Sequence, residues 1–310
     1  MNPVRKGSRT VTSLIGMYMV DDEGSLADLW RKIMYKAIYF VDTLVARFHL
    51  GKKGLDGLTD ATFKDYSGNA NHVKARGTQY YPLFDGVDDI ITVTQHSSIN
   101  SMFDDATHTI GAWFLPLSGG ENNIGAIVAK ESIGATIGWY LRGRTSSNEY
   151  FIRFYYYWSG GAVYWTNDNG INLYEWHRII IKYNDSLTSN VPTIYINGVQ
   201  IDITQVGTPS GSADEETTQN LLIGDTSIGT SCFDGGISDV FLYKGELTDA
   251  QILADYNKGL NGISDSTFAG RWKMNESDYG SGVANSGSGG VGAGTVSNAT
   301  ATQGMLDYAT

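Results

Sequence analysis

Residues 194–203 read IYINGVQIDI, and apolar side chains alternate with others on both sides of Asn197-Gly198. Period two is the signature of a strand, and Asn-Gly supplies the two positive φ angles that a two-residue turn between antiparallel strands requires. The stretch is therefore a β-hairpin. The same rhythm extends outward in both directions, with short apolar runs separated by Gly, Asn, Asp and Ser. It predicts strands at 45–50, 72–76, 89–94, 108–115, 125–130, 137–143, 149–158, 162–166, 176–183, 192–197, 199–204, 220–224 and 237–243. That many strands in about 200 residues implies two large sheets packed face to face.

The chain has 310 residues, 38 of them Gly and 19 Tyr, with only 5 Pro and 18% charged residues, a composition suited to strands and tight turns. The net charge of −11 argues against general nucleic-acid binding, which needs a dense Lys/Arg surface. No apolar run is long enough to cross a bilayer, and the start lacks the apolar core and cleavage site of a secretory signal. A single cysteine, Cys232, leaves no intramolecular disulfide framework and reads as a packed residue.

Three regions separate along the chain. Residues 1–43 open with a basic arm carrying Arg5, Lys6 and Arg9, followed by a helix whose Leu26, Trp30 and Ile33 fall on one apolar face. Arm and helix together read as an assembly anchor, for a partner or for self-association into a homo-oligomer. Residues 44–259 hold the strands and end on a short helix, LTDAQILADYNKG, capped by Thr248 with Gln251 at the third position. Residues 260–310 form a Gly/Ser-rich extension that reads as a flexible tail. Its GRWKM at 270–274 nevertheless echoes ARFHL at 46–50, and Asn285-Ser286-Gly287 stands where the earlier segment has Ser67-Gly68-Asn69, so the extension is also a partial repeat of the first strand and its loop.

Six motifs in order carry a family resemblance. They are LVARFHL at 44–50, DYSGNANH at 65–72, LFDGVDDIITV at 83–93, HTIGAWFLP at 108–116, EWHRIIIKY with PTIYINGV at 175–199, and LLIGD with FDGGISDVFLYKGELTDAQI at 221–252. The chain thereby resembles the laminin G-like jellyrolls of the concanavalin A-like lectin and glucanase superfamily. The resemblance implies an all-β, two-sheet antiparallel jellyroll sandwich, with the strands after the two Phe-Asp-Gly sequences as neighbours. It also implies a structural calcium, with Asp65 and Asp239 as the best-placed ligands and Asn71, Asp85 and Asp88 as further ones; the competing reading is that Asp65, Asp85 and Asp234 only form turns.

Catalysis finds little support. A glycosidase needs two carboxylates facing each other across a sugar, and the alternating Glu-x-Asp-x-Glu strand of the superfamily's glucanases is missing. The acids of ADEETTQ at 213–219, with Asp214, Glu215 and Glu216, are consecutive and read as a solvated loop. The five histidines are scattered, with His49, His72 and His177 at strand positions where they pack or hydrogen-bond.

Binding is the stronger expectation. EYFIRFYYYWSGGAVYWTND at 149–168 forms one aromatic hairpin. Alternation puts Tyr155 and Tyr157 with Phe151 on one face and Tyr150, Phe154, Tyr156 and Trp158 on the other, and the latter four are the expected ligand-binding set. The absent export signal, the basic arm and the helix lead to a virion structural protein, such as a phage head decoration, fibre or tail component, that meets other virion proteins through residues 1–43 and glycans through its jellyroll. A secreted bacterial carbohydrate-binding or adhesion module is the alternative, extracellular rather than virion-borne, and a glycoside hydrolase comes third.

Overall fold

The computed structural model describes residues 62–63, 73–74, 79–104, 106–132, 136–214, 216–258 and 263–304. The chain divides into two compact units, Met1–Gly77 and Thr78–Thr310. In the first, β1 (Thr62–Phe63) pairs antiparallel with β2 (Val73–Lys74). The expected helix with Leu26, Trp30 and Ile33, and the arm with Arg5, Lys6 and Arg9, lie outside the described residues.

The second unit is an antiparallel sandwich. One sheet, nine-stranded over the described residues, runs in the order β14 (Ile203–Val206), β9 (Gly161–Asn167), β8 (Glu149–Trp158), β7 (Gly138–Ser146), β6 (Ala126–Glu131), β15 (Leu221–Ile223), β4 (Ile90–Val93), β18 (Thr295–Ser297), with β10 (Ile171–Asn172) also on β8. The other, eight-stranded, runs β13 (Val199–Gln200), β12 (Thr193–Ile196), β11 (His177–Tyr183), β5 (His108–Pro116), β16 (Asp234–Tyr243), β3 (Gln79–Asp85), β19 (Thr300–Gly304), with β17 (Gly270–Trp272) also on β16.

The hairpin that opened the reading forms with Tyr195 opposite Gln200 and Ile196 opposite Val199. Asn197 and Gly198 take φ of 53° and 79°, as a type I′ turn demands. The run 199–204 does not stay one strand: β13 ends in the eight-stranded sheet and β14 joins β9 in the other. The two Phe-Asp-Gly strands are neighbours, with Asp85 directly opposite Asp234.

The core lies between the sheets. Phe103 sits at its centre, edge-on to Trp139 at 5.7 Å, Phe154 at 5.6 Å and Tyr183 at 5.5 Å. Helix α1 (Asp249–Lys258) covers the outer face of the eight-stranded sheet. Its capping box forms as expected: the Thr248 N–H donates to Gln251 Oε1, and the Gln251 N–H donates to Thr248 Oγ1. Tyr256 stacks on Trp113 at 5.7 Å, and Ile252 joins Ile180, Phe241 and Phe268 beneath the helix.

The Gly/Ser-rich extension, read as a tail, is built into both sheets. β17 lies on β16, β18 on β4 and β19 on β3. Trp272, Met274, Val283 and Val291 enter the core, so a few apolar residues spaced through the low-complexity run supply what its composition hides.

Candidate site on the nine-stranded sheet

Of the aromatic hairpin's two faces, the structure turns the expected ligand-binding set inward. Tyr150, Phe154 and Tyr156 are fully buried and Trp158 is 3% exposed, all within the core between the sheets. Gly143 explains Tyr150: a Cβ there would lie 1.9 Å from the tyrosine ring, so the glycine opens the space the ring fills. Tyr156 donates from its hydroxyl to buried Asp185. These four rings pack in the core and not on the outward face.

The opposite alternation faces outward and forms cross-strand rows. Tyr140 of β7, Tyr155 of β8 and Tyr164 of β9 stand in register, the first two stacked at 4.5 Å and the last two at 4.6 Å. One step along, Arg142, Arg153, Thr166 and Thr204 stand in register across four strands, and beyond them Arg144 faces Phe151. Cross-strand neighbours on one face lie within reach of each other, which is why the rows interlock.

Arginines and tyrosines in these rows hold one another. The Arg142 guanidinium lies 4.4 Å from the centre of the Tyr155 ring and donates from Nη2 to its hydroxyl at 2.6 Å. Arg153 lies 4.8 Å from the Tyr164 ring. Burial pushes the Tyr140 hydroxyl up from its ordinary pKa, with Arg142 opposing the shift, and burial does the same to Tyr157. The rows thus set ring edges, hydroxyls and guanidiniums side by side on the outer face of this sheet.

Beside the stack an open groove of about 460 Å³ is lined by Arg144, Phe151, Arg153, Thr166, Asp168 and Thr204, with Ser146 and Asn167. Asn167 fixes its floor by accepting the Ile152 N–H at 2.7 Å, and Thr204 donates to Asp168 Oδ1 at 2.7 Å. A phenyl ring, two guanidiniums, a carboxylate and two threonine hydroxyls are the groups that hold a sugar by its apolar face and its hydroxyls. Alternation on β8 had already put Phe151 on this face; Arg144, Arg153 and Asp168 had no sequence signal, since they converge only through register.

The acids divide differently from the calcium expectation. Asp239 is held by two guanidiniums: Arg271 donates from Nε to Oδ1 at 2.6 Å and from Nη2 to Oδ2 at 3.0 Å, and Arg178 Nη2 lies 3.1 Å from the same Oδ2. Burial alone would raise this carboxyl, but the two guanidiniums outweigh it and hold it below the usual carboxylate range. The positive charge that the site needs is already present. Asp65 and Asn71 lie outside the described residues.

Asp85, Asp88 and Asp89 do gather at the turn between β3 and β4, with carboxylate oxygens within 4.8 Å of one another. Two of them carry turn bonds: Asp85 Oδ1 accepts the Val87 N–H at 2.9 Å and Asp89 Oδ2 the Asp85 N–H at 2.7 Å. The turn-forming role read from the sequence thus accounts for Asp85. Glu216, expected in a solvated loop, is buried instead and accepts the Met102 N–H at 2.8 Å. His177 bonds through Nε2 to the Asn172 carbonyl at 2.8 Å.

Fold and face together define a lectin-like jellyroll sandwich with one covered and one open outer surface. A family model for the concanavalin A-like lectin/glucanases superfamily, of the laminin G type, matches residues 85–253, more than half of the chain, and the chain belongs to that superfamily. Among solved structures it is similar to a candidate carbohydrate-binding protein from Bacteroides ovatus, at 15% identity and a TM-score of 0.50, over 79% of this chain and 67% of that one. It is also similar to a heptameric pentraxin from Limulus polyphemus, at 12% identity and 0.47, over 71% and 96%, and to the LG4-5 domains of the mouse laminin α1 chain, at 11% and 0.37, over 54% and 43%. No curated protein matches the sequence. The family model and the Bacteroides ovatus likeness agree with the fold, and the site rests on its own geometry.

Proposed function

We propose that this chain is a non-catalytic carbohydrate-binding module whose ligand lies in the groove between Phe151, Arg144, Arg153 and Asp168. The observation that carries the reading is the convergence of one accessible aromatic ring with paired guanidiniums and a carboxylate beside a rigid tyrosine stack. The ring offers a surface for the C–H face of a sugar, and the charged groups offer bidentate bonds to neighbouring hydroxyls. The carbohydrate-binding description of the Bacteroides ovatus neighbour agrees with it.

Binding is favoured over hydrolysis because Asp168 is the one carboxylate among the groove's lining residues, whereas glycoside cleavage uses two. A bacterial carbohydrate-binding or adhesion module and a glycan-binding virion protein use such a groove alike. The virion placement draws its support from residues 1–43, outside the described residues, and the fold adds nothing to it.

The test is a glycan array followed by titration calorimetry on any hit. Phe151→Ala and Arg153→Ala are each expected to weaken binding about tenfold or more, close to 1.4 kcal/mol, with the melting temperature unchanged. Retained affinity in both variants sinks the assignment of this groove.

A further inference from the structure

Charge is spread unevenly over this chain. It carries 33 Asp and Glu against 22 Lys and Arg, a net charge of −11, yet the outer face of the nine-stranded sheet gathers Arg142, Arg144 and Arg153. Arg142 stands directly opposite Arg153 on the neighbouring strand, and Arg144 follows Arg142 by two residues on the same face of β7. Like charges set opposite one another across a sheet are destabilising. The other arginines of the described residues, Arg178 and Arg271, are each ion-paired with carboxylates. Among the described residues, none pairs with Arg142, Arg144 or Arg153.

Tyrosines orient two of the three without neutralising them. Arg142 rests on the Tyr155 ring and donates to its hydroxyl, and Arg153 rests on the Tyr164 ring. A ring face attracts a guanidinium but brings no opposite charge. Arg153 Nε is moreover buried with no hydrogen-bond partner, which costs free energy and leaves this guanidinium short of acceptors.

The same imbalance reaches the groove. Arg144 and Arg153 line it with Asp168 as the one carboxylate, and Asp168 already accepts from Thr204 through Oδ1. Positive charge therefore exceeds negative there, on a chain that is acidic as a whole. A local repulsion that the fold does not relieve marks a functional place, and a bound anion is what relieves it.

We propose that the ligand of the groove is an acidic sugar, a uronic-acid type of unit whose carboxylate is held by Arg144 and Arg153. The inference rests on the carbohydrate-binding reading above and names the class of glycan. Phe151 stands opposite Arg144 and two residues before Arg153 on the same face of β8, so a pyranose laid on the phenyl ring brings a carboxylate attached to that pyranose within reach of both guanidiniums. The planar fork of a guanidinium matches the two oxygens of a carboxylate. Asp168 Oδ2 is then the acceptor for a hydroxyl of the same sugar.

The test is an array of the full chain against oligosaccharides of galacturonic, glucuronic, mannuronic and guluronic acids, their neutral methyl esters, and neutral and sulfated counterparts, with titration calorimetry on the hits. A uronate is expected to bind about tenfold or more tightly than its own methyl ester, with the advantage shrinking as salt is raised. Arg144→Gln and Arg153→Gln keep a polar side chain and lose the charge, and each is expected to narrow that preference several-fold in a chain whose melting curve shows it folded. Methyl esters or neutral sugars bound through Phe151 as tightly as uronates overturn the acidic ligand and leave the carbohydrate-binding reading standing. Sulfated glycans preferred over uronates overturn the carboxylate, and no binding to any member of the array overturns both readings.

Discussion

The two outer faces of the sandwich use arginine in opposite ways. On the eight-stranded sheet, Arg178 and Arg271 are fully buried and converge on Asp239, with Asp255 of α1 accepting from Arg178 Nε at 2.6 Å. Helix α1 covers that face, and these buried charges answer one another. On the nine-stranded sheet, Arg142, Arg144 and Arg153 are half-buried; Arg142 and Arg153 rest on tyrosine rings, and Arg144 and Arg153 line an open groove that holds Asp168. A guanidinium committed to a buried carboxylate stabilises one conformation, whereas one resting on an aromatic ring keeps donors for a ligand. The first face is closed by its own chain, and the second is left for something else.

The sharpest way to break this contrast is to remove charge from both faces. Asp239→Ala leaves two buried guanidiniums without their shared partner and is expected to cost about 3–5 kcal/mol in urea unfolding. Arg142→Ala on the open face is expected to cost less than about 1 kcal/mol. Equal losses would mean that the open face is also structural.

A second pair works along one strand. Tyr156→Ala empties a core position and should cost about 3–5 kcal/mol, while Tyr157→Ala on the outward alternation should cost under about 1 kcal/mol. Equal costs in urea unfolding would erase the inward and outward assignment of β8.

Within the buried cluster the two acids are unequal. Burial raises the Asp255 carboxyl, and Arg178 offsets this only in part, whereas Asp239 is held low. Asp255→Asn, which keeps an acceptor for Arg178, is therefore expected to change stability by less than about 1 kcal/mol at neutral pH, well below the loss from Asp239→Asn. Nearly equal losses in the two unfolding curves would remove the distinction.

The smallest effect is in pH. Because the folded pKa of Asp239 is depressed, its contribution is present above the unfolded value of about 3.9 and is lost as pH falls through the folded one. Melting temperature should therefore fall with acid below about pH 4, and the slope there should flatten in Asp239→Asn. An unchanged slope would show that other carboxylates govern the acid limb.

Much of the sandwich was legible because alternation is local. The expected strands at 149–158 and 176–183 match β8 and β11 within a residue. β3 went unread because Tyr80, Tyr81 and Pro82 break the period, and proline argues against a strand. β17 was legible only as an echo of the first strand at 270–274, while β18 and β19 went unread because Gly and Ser lower the apolar density; the pairing of all three with β16, β4 and β3 is invisible without the sheet edges they complete. For the site, alternation separated Phe151, Tyr155 and Tyr157 from Tyr150, Phe154, Tyr156 and Trp158, but it could not say which set faced the other sheet.

The sequence by itself determined the all-β class, the Asn197-Gly198 hairpin, the capped helix after Thr248 and the pairing of the two Phe-Asp-Gly strands. Each of these depends on residues close along the chain or on a motif order shared with a family. Only the tertiary structure decided that Asp239 meets Arg178, 61 residues before it, and Arg271, 32 residues after it, and that Arg144 and Arg153 converge on Asp168. Charge pairing and groove formation depend on which strands become neighbours, and that follows from burying the whole apolar surface at once.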